Sequence, residues 1–283
     1  MRYYACFHRF ANLKHPHDLN EKILYYKLYK DTSAWPDLVD KYKVRQYVED
    51  LGFKDNLVSI YGKWNNVRDF ERDFNDLPDA FILKANNGEG KGTNLIVRNK
   101  SEYTGRKYED LCKTLSWWLS RKNIGSLVGE PQYKSIEPCI IAEELLPMEE
   151  QQSTLTDYKI WCFEGKPYFV WVCNNRSAGG NSAHVMTYDM DWNAHPEYSV
   201  FNSDYMKGDI IPRPANFDKM IYLAERLSAG FPELRVDLYN IKGRIYFGEL
   251  TFTSQGGINS FYTKEFLDYC GSLFDVESLP AKK

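Results

Sequence analysis

Two stretches in the second half of the chain carry paired β-rich runs around a glycine. Residues 157–163 and 167–172 flank Glu164, Gly165 and Lys166; residues 235–241 and 245–249 flank Lys242, Gly243 and Arg244. Each reads as an antiparallel hairpin on a three-residue turn, with the glycine free to take positive φ. In the second hairpin this turn pairs Ile241 with Ile245, and counting outward sets Asp237 opposite Glu249. Directly paired residues share a face with Cβ atoms roughly 5 Å apart, so the two carboxylates repel unless a cation lies between them. Arg235, two residues back, points the same way.

Helical spacing alternates with these strands. Asp18 with Glu21 makes a capping-box-like start, followed by Ile23, Leu24, Tyr26, Lys27 and Leu28 on a 3.6-residue period. Pro36 opens a helix expected over 36–51 and stopped by Gly52. Further helices are expected over 108–122 and 216–230. Strands are expected over 57–61, 81–84, 94–97, 139–146 and 184–189, and 151–154 reads as a mobile loop. Residues 86–93, rich in glycine, join the strands 81–84 and 94–97 into a hairpin. The class is α+β (mixed α/β), not a doubly wound sheet. The expected division is a short N-terminal helical and partial α/β region over 1–62, a glycine-loop subdomain over 63–146, and a C-terminal subdomain over 147–283 that carries the carboxylate hairpin.

Composition narrows the function classes. At 283 residues the chain is long enough for subdomains sharing a site. A net charge of -3 gives no reason to expect nucleic acid as a partner. No apolar run approaches the roughly 18 residues of a membrane span, and the N-terminus lacks an apolar signal core. Cys6, Cys112, Cys139, Cys162, Cys173 and Cys270 are scattered and read as reduced packing residues of a cytoplasmic protein. Aromatic residues reach 16%, a weak pointer to a sugar or base site. None of these features fixes an oligomeric state.

The candidate chemistry lies in charged residues at strand positions. A carboxylate pair offers hard oxygen ligands that suit Mg²⁺. The run Asn87-Gly-Glu-Gly-Lys-Gly-Thr93 lacks Walker A spacing and leads into a strand, but a glycine-rich hairpin can still offer backbone N–H groups to phosphates. His15, His17, His184 and His195 show no paired metal spacing.

The order of these features resembles the ATP-grasp superfamily, and more closely its TupA-like members (teichuronopeptide and surface-polysaccharide biosynthesis). The residues that carry the likeness are His15-Pro-His-Asp-Leu-Asn-Glu-Lys22, Val39-Asp-Lys-Tyr-Lys-Val-Arg45, Leu83-Lys-Ala-Asn-Asn-Gly88, Asp157-Tyr-Lys-Ile-Trp-Cys-Phe163, Tyr188-Asp-Met-Asp-Trp192 and Phe247-Gly-Glu-Leu-Thr251. The resemblance implies the ATP-grasp fold, two α+β subdomains gripping ATP, with ATP and Mg²⁺ as cofactors. It implies phosphate-binding roles for Lys41, Lys84, Lys159 and Arg235 and a glycine lid over Asn87, Gly88, Gly90 and Gly92. Glu143 and Leu146 would meet the adenine and Glu150 the ribose. Asp237 and Glu249 would hold the metal, with Thr251 where many relatives have asparagine.

The activity implied is ATP-dependent carboxylate–amine ligation, a hexuronic acid of a surface polysaccharide or its precursor being the acid and an amino acid the amine. The partners expected are therefore small-molecule or glycan substrates. Arg176, opening a glycine-rich loop after a strand, is the candidate for recognising the substrate by clamping a carboxylate or phosphate bidentately. Three other readings are open at this point. Asp189 and Asp191 form the Asp-x-Asp of sugar-nucleotide glycosyltransferases, a sugar kinase on the same fold would share the ATP site, and a non-catalytic sugar-binding protein could use the same scaffold.

Overall fold

The structure, a computed structural model, describes residues 2–88, 92–120, 129–148, 154–177 and 182–282. In chain order its elements begin with helices α1 (Arg2–Phe7), α2 (Leu19–Tyr29), α3 (Trp35–Val39) and α4 (Val44–Asp50). Strand β1 (Ile60–Trp64), α5 (Val67–Asp73), β2 (Phe81–Ala85), β3 (Asn94–Val97), α6 (Gly105–Ser120) and β4 (Ile140–Glu144) follow. Then come β5 (Asp157–Phe163), β6 (Lys166–Asn174), β7 (Ala183–Asp189), β8 (Tyr205–Lys207), α7 (Phe217–Ser228), β9 (Glu233–Ile241), β10 (Arg244–Thr251) and α8 (Lys264–Ser272). The chain forms two compact units, residues 34–147 in one and residues 1–33 with 148–283 in the other. The expected N-terminal region 1–62 is therefore divided at 33/34, and its first part packs with the C-terminal residues. The expected loop over 151–154 falls largely outside the described residues.

In the unit of residues 34–147, β1-β4-β2-β3 form an antiparallel sheet in that order. Alternation along β2 sends Phe81, Leu83 and Ala85 into a core with Phe70, Leu111, Leu115 and Trp118 from α5 and α6. Ile82 and Lys84 take the opposite face, as do Ile141 and Glu143 on the paired strand β4. α5 was not legible because its sequence is mostly charged; Asn66 caps it, its Oδ1 accepting from the Asp69 N–H at 2.9 Å.

The single helix expected over 36–51 is broken. Asp40 leaves helical geometry with ψ 114°, and its Oδ1 accepts from the backbone N–H groups of Tyr42 (2.8 Å) and Lys43 (3.2 Å). Its Oδ2 accepts from Asn86 Nδ2 at 2.9 Å. An aspartate that can satisfy local N–H groups competes with the helix, and here burial beside Asn86 decides for the cap. Asn86 is a hub: Oδ1 accepts from the Cys139 N–H at 2.7 Å, its own N–H donates to the Cys139 carbonyl, and its carbonyl accepts from the Lys41 N–H. The base of the glycine-rich loop thus serves the fold: Asn86, Asn87, Gly88 and Thr93 are buried, and a Cβ on Gly88 would lie 2.4 Å from Thr93 Oγ1.

The other unit is built on a six-stranded sheet in the order β10-β9-β5-β6-β7-β8, antiparallel except for β7 with β8. All of β5 is buried, which explains why its sequence mixes apolar residues on both faces. α7 supplies one cover with Phe217, Met220, Leu223, Ala224 and Leu227. An aromatic cluster supplies part of the other: Phe163, Phe169, Tyr262, Phe266 and Phe274 meet at centroid distances of 4.8–6.2 Å. On α2 the N-cap is as expected, Asp18 Oδ1 accepting from the Glu21 N–H at 2.9 Å. Leu28 is exposed, however, while Ile23, Tyr26 and Lys27 are buried as the stripe implied, the Lys27 ammonium donating to the Gly256 carbonyl at 2.6 Å.

Both hairpins differ from expectation in the same way. Glu164 with Gly165 and Lys242 with Gly243 sit at positive φ, as two-residue turns require, so Phe163 pairs with Lys166 and Ile241 with Arg244. Each hairpin then recovers one residue at a bulge in its second strand, between Pro167 and Phe169 and between Phe247 and Glu249.

Glu233, at the start of β9, is buried with neither carboxyl oxygen hydrogen-bonded among the described residues. Burial drives its pKa well above the ordinary carboxylate value, against a smaller opposing pull from Arg235. A carboxyl raised in the folded state contributes stability that is complete below its unfolded pKa and lost as pH rises through the folded one. Glu233→Gln should therefore flatten the decline of melting temperature above about pH 4.3 and leave the protein more stable at pH 8. The expected gain there is about 1–3 kcal/mol, the scale of an unsatisfied buried polar group. Thermal unfolding at pH 4, 6 and 8 measures it; a parallel decline in both proteins would rule the assignment out.

Candidate functional site

The charged residues singled out on β5, β9 and β10 meet on one sheet face. Asp237 pairs with Glu249 as expected, but for a different reason. The tight turn alone would set Asp237 opposite Gly248, and the bulge shifts the pairing by one. Gly248 makes this possible, because a Cβ there would stand 2.8 Å from the Asp237 carbonyl oxygen. On the other side Asp237 pairs with Lys159 of β5. Arg235 pairs with Thr251 and with Trp161, and Asp157 pairs with Tyr239.

The repulsion expected of the carboxylates is answered by the protein's own cations. Arg235 grips Asp237 bidentately, Nε to Oδ1 at 2.7 Å and Nη2 to Oδ2 at 2.8 Å, and lies 3.8 Å from Glu249. Its remaining N–H groups reach Ser254 Oγ (2.8 Å) and Thr251 Oγ1 (3.1 Å). The Lys159 ammonium donates to Asp237 Oδ2 and sits 3.7 Å from Asp157. Arg176 closes the row, Nη2 at 2.5 Å and Nε at 3.2 Å from Asp157 Oδ2. Burial by itself would neutralise Lys159, but Asp157 and Asp237 more than reverse this and raise its pKa. Burial likewise opposes ionisation of Asp157, and Lys159 and Arg176 hold its carboxyl below the usual range. Arg235 is held firmly charged, Asp237 outweighing its desolvation. Cations and carboxylates alternate along the row, so each of the four buried charges, Asp157, Lys159, Arg235 and Asp237, has an opposite charge beside it.

In the unit of residues 34–147, Lys84 and Glu143 form an ion pair at 2.5 Å on the sheet face away from the core, with Glu143 buried. Leu146 is buried just past β4. Arg45 was quoted in a motif but given no role. Its guanidinium is half-buried, and that desolvation lowers its pKa despite the nearby Glu143 and Glu49. Basic character at helical spacing from Lys41 was the only sequence signal for it. Lys41 is half-buried in the turn between α3 and α4, and Gly92 is exposed at φ 76° with its carbonyl accepting from Trp118 Nε1. Gly90 and Glu150 lie outside the described residues.

Other candidates fall elsewhere. Asp189 serves a turn, accepting from the Asn193 N–H and Nδ2 (both 2.8 Å) and facing His195 Nε2 at 3.2 Å, while Asp191 is exposed. Burial lowers the His195 pKa, and Glu197 and Asp189 together raise it more. Among the described residues no group of three or more His, Cys, Asp or Glu side chains is placed to hold a metal, so a metal at β9 and β10 would rest on the two acids and Thr251. Asp157, central to the row, was missed as a site residue because at the head of a strand motif it looks like any polar strand end.

The profile of the TupA-like ATPgrasp family matches residues 21–275, and the chain belongs to that family. Its fold is the ATP-grasp fold. No curated protein matches it by sequence. Among solved structures it is similar to N5-carboxyaminoimidazole synthetase from Staphylococcus aureus complexed with ADP, at TM-score 0.51 and 10% identity over 93% of this chain and 60% of that one. D-alanine–D-alanine ligase from Helicobacter pylori gives 0.48 at 13% identity, with 92% and 71% covered. The Bacillus anthracis enzyme gives 0.45 at 13%, with 79% and 60% covered. The chain thus spans about 60% of the length of two of these relatives.

The row makes Asp237 and Glu249 unequal. Asp237→Asn leaves Arg235 and Lys159 buried without their shared partner and should destabilise the ligand-free protein by about 3–5 kcal/mol. Glu249 is partly exposed with Arg235 at 3.8 Å, so Glu249→Gln should change stability by less than about 1 kcal/mol. Denaturant unfolding of both variants without ligand tests this; equal losses would mean that Asp237 is not the anchor of the two cations.

Proposed function

We propose that this chain is an ATP-dependent carboxylate–amine ligase. What carries the reading is the row on β5, β9 and β10, where apposed carboxylates are interleaved with fixed cations in a member of the TupA-like ATPgrasp family. Asp237 and Glu249, with Thr251 beside them, offer hard oxygens only, a donor set that fits Mg²⁺. Bound there, Mg²⁺ would neutralise phosphate charge. Lys159 and Arg235 would bind phosphate oxygens, as would Lys84, Arg45 and Lys41 on the other unit. Glu143 and Leu146 would meet the adenine, Glu150 the ribose, and Asn87, Gly88, Gly90 and Gly92 would lie over the phosphates. Arg176 would hold the acid substrate.

The reaction needs no side-chain nucleophile. A carboxylate oxygen of the acid attacks the γ-phosphorus, the bond to the β–γ bridging oxygen breaks, and ADP leaves. The amine nitrogen then attacks the acyl carbon, the C–O bond to phosphate breaks, inorganic phosphate leaves and the ammonium proton passes to solvent. Positioning and charge neutralisation by Lys159, Arg235 and Arg176 do the catalytic work. The acid is a hexuronic acid of a bacterial surface polysaccharide or its precursor and the amine an amino acid, a choice that rests on the family resemblance.

Two measurements test this. ADP release should depend on both a uronic acid and an amine, and mass spectrometry should find an amide; a phosphoester in its place would make the protein a kinase. Asp237→Asn and Glu249→Gln should each lower ADP release by about 10²-fold or more, with the double variant little worse than either single one. Near-normal turnover in both single variants would remove the row from the active site.

A further inference from the structure

Asp157 has no part in the steps above, yet the fold buries it and gives it two hydrogen-bond donors and a neighbouring ammonium. One oxygen, Oδ2, takes both Nη2 and Nε of Arg176 and faces Lys159 at 3.7 Å. Arg176 is tied to the same segment a second time, its backbone N–H donating to Thr154 Oγ1 at 3.1 Å. The residue before it, Asn175, sits at φ 46°, a left-handed conformation that turns the chain as it leaves β6. With Nε and Nη2 occupied, the Nη1 side of the guanidinium has no acceptor among the described residues, and about a third of the side chain, 32%, is exposed.

We propose that Asp157 is a positioning residue. It fixes Arg176 by the Nε–Nη2 edge, beside Lys159, and leaves the remaining N–H groups to meet the carboxylate of the acid substrate. This rests on the ligase reading for the identity of the ligand, not for the fixing of Arg176. The reason to build such a device is entropic. A free arginine side chain loses roughly 2 kcal/mol of rotamer freedom when it binds, whereas one already held in the ligand-free protein does not. A carboxylate needs that order, because its two oxygens match a guanidinium only in a planar, oriented pair. Asp157 also supplies local charge balance, which leaves Asp237 to Lys159 and Arg235.

The test separates positioning from packing. In the ¹⁵N spectrum of arginine side chains of the full chain, Arg176 should give a sharp, slowly exchanging Nε–H signal, assigned by its loss in Arg176→Lys. Asp157→Asn should collapse that signal into the exchange-broadened group and leave the Arg235 signal in place. In steady-state assays Asp157→Asn should raise the apparent KM for the acid by about tenfold, the scale of one charge-assisted hydrogen bond. Calorimetric ATP affinity should stay within about twofold, and Asp157→Asn should add nothing in the Arg176→Lys background. If Asp157→Asn does not fold, Asp157→Glu keeps the charge, displaces the carboxylate and carries the same readouts. A surviving Arg176 signal, multiplying effects of the two substitutions, or lost ATP affinity with an unchanged acid KM would each overturn the proposal. The predicted spectral change in a protein that releases no ADP with any acid would uphold the positioning and refute the ligase.

Discussion

Asp237, gripped at once by Arg235 and Lys159, is the interaction on which the charged face depends. Each of the three sits on a central strand of the sheet, and none could be buried alone: desolvation would neutralise the lysine and the acid and leave the arginine unpaired. Together they compensate one another's charge, and Asp157, Arg176 and Glu249 extend the alternation of sign. Strand register, not loop contact, produces this order. Lys159 faces Asp237 and Asp157 faces Tyr239 because β5 and β9 pair without interruption from one end to the other. On the second edge of β9 the register is interrupted once, at Gly248, and that interruption sets Glu249 beside Asp237.

This bears on how much the sequence could say. The pairing of Asp237 with Glu249 was legible, though through two errors that cancel. A three-residue turn without a bulge and a two-residue turn with one bring the same residues together. Glycine could be read as a turn residue at 243, but nothing local marks Gly248 as a bulge; the need arises from the Asp237 carbonyl on the partner strand. The family and the run of strands were legible because apolar periodicity and short charged motifs are local. The broken helix at Asp40 was not, because the helical pattern continues through it and Asn86, whose burial decides the matter, lies far along the chain. Asp157 was missed as a site residue for the same reason: only Arg176 and Lys159 give it meaning. Nothing local marks Glu233 as a buried acid whose pKa burial raises.

The glycine-rich segment shows a second division of labour. Its backbone was expected to offer N–H groups to phosphates, yet Asn86, Asn87, Gly88 and Thr93 are buried, and Asn86 binds the start of β4 to the α3–α4 turn. Asn86 is therefore constrained first by satisfaction of buried backbone groups, which cannot go unpaired without cost. Any ligand role for this segment is added to a base that the fold already requires.

The same reasoning sets a condition on ligand binding at the charged row. Asp237 has both oxygens engaged by the protein's own cations, so a divalent cation would gain little from those oxygens while Arg235 and Lys159 remain on them. On the proposed reading phosphate oxygens would change that balance, since they would offer Arg235 and Lys159 an alternative anion and free the carboxylate for the metal. The exchange keeps every charge paired before and after, which a buried row of this kind demands. On the proposed ligase reading, nucleotide and metal would be taken up as one neutralised unit, and the cations that pair with Asp237 are the groups that would receive the phosphates.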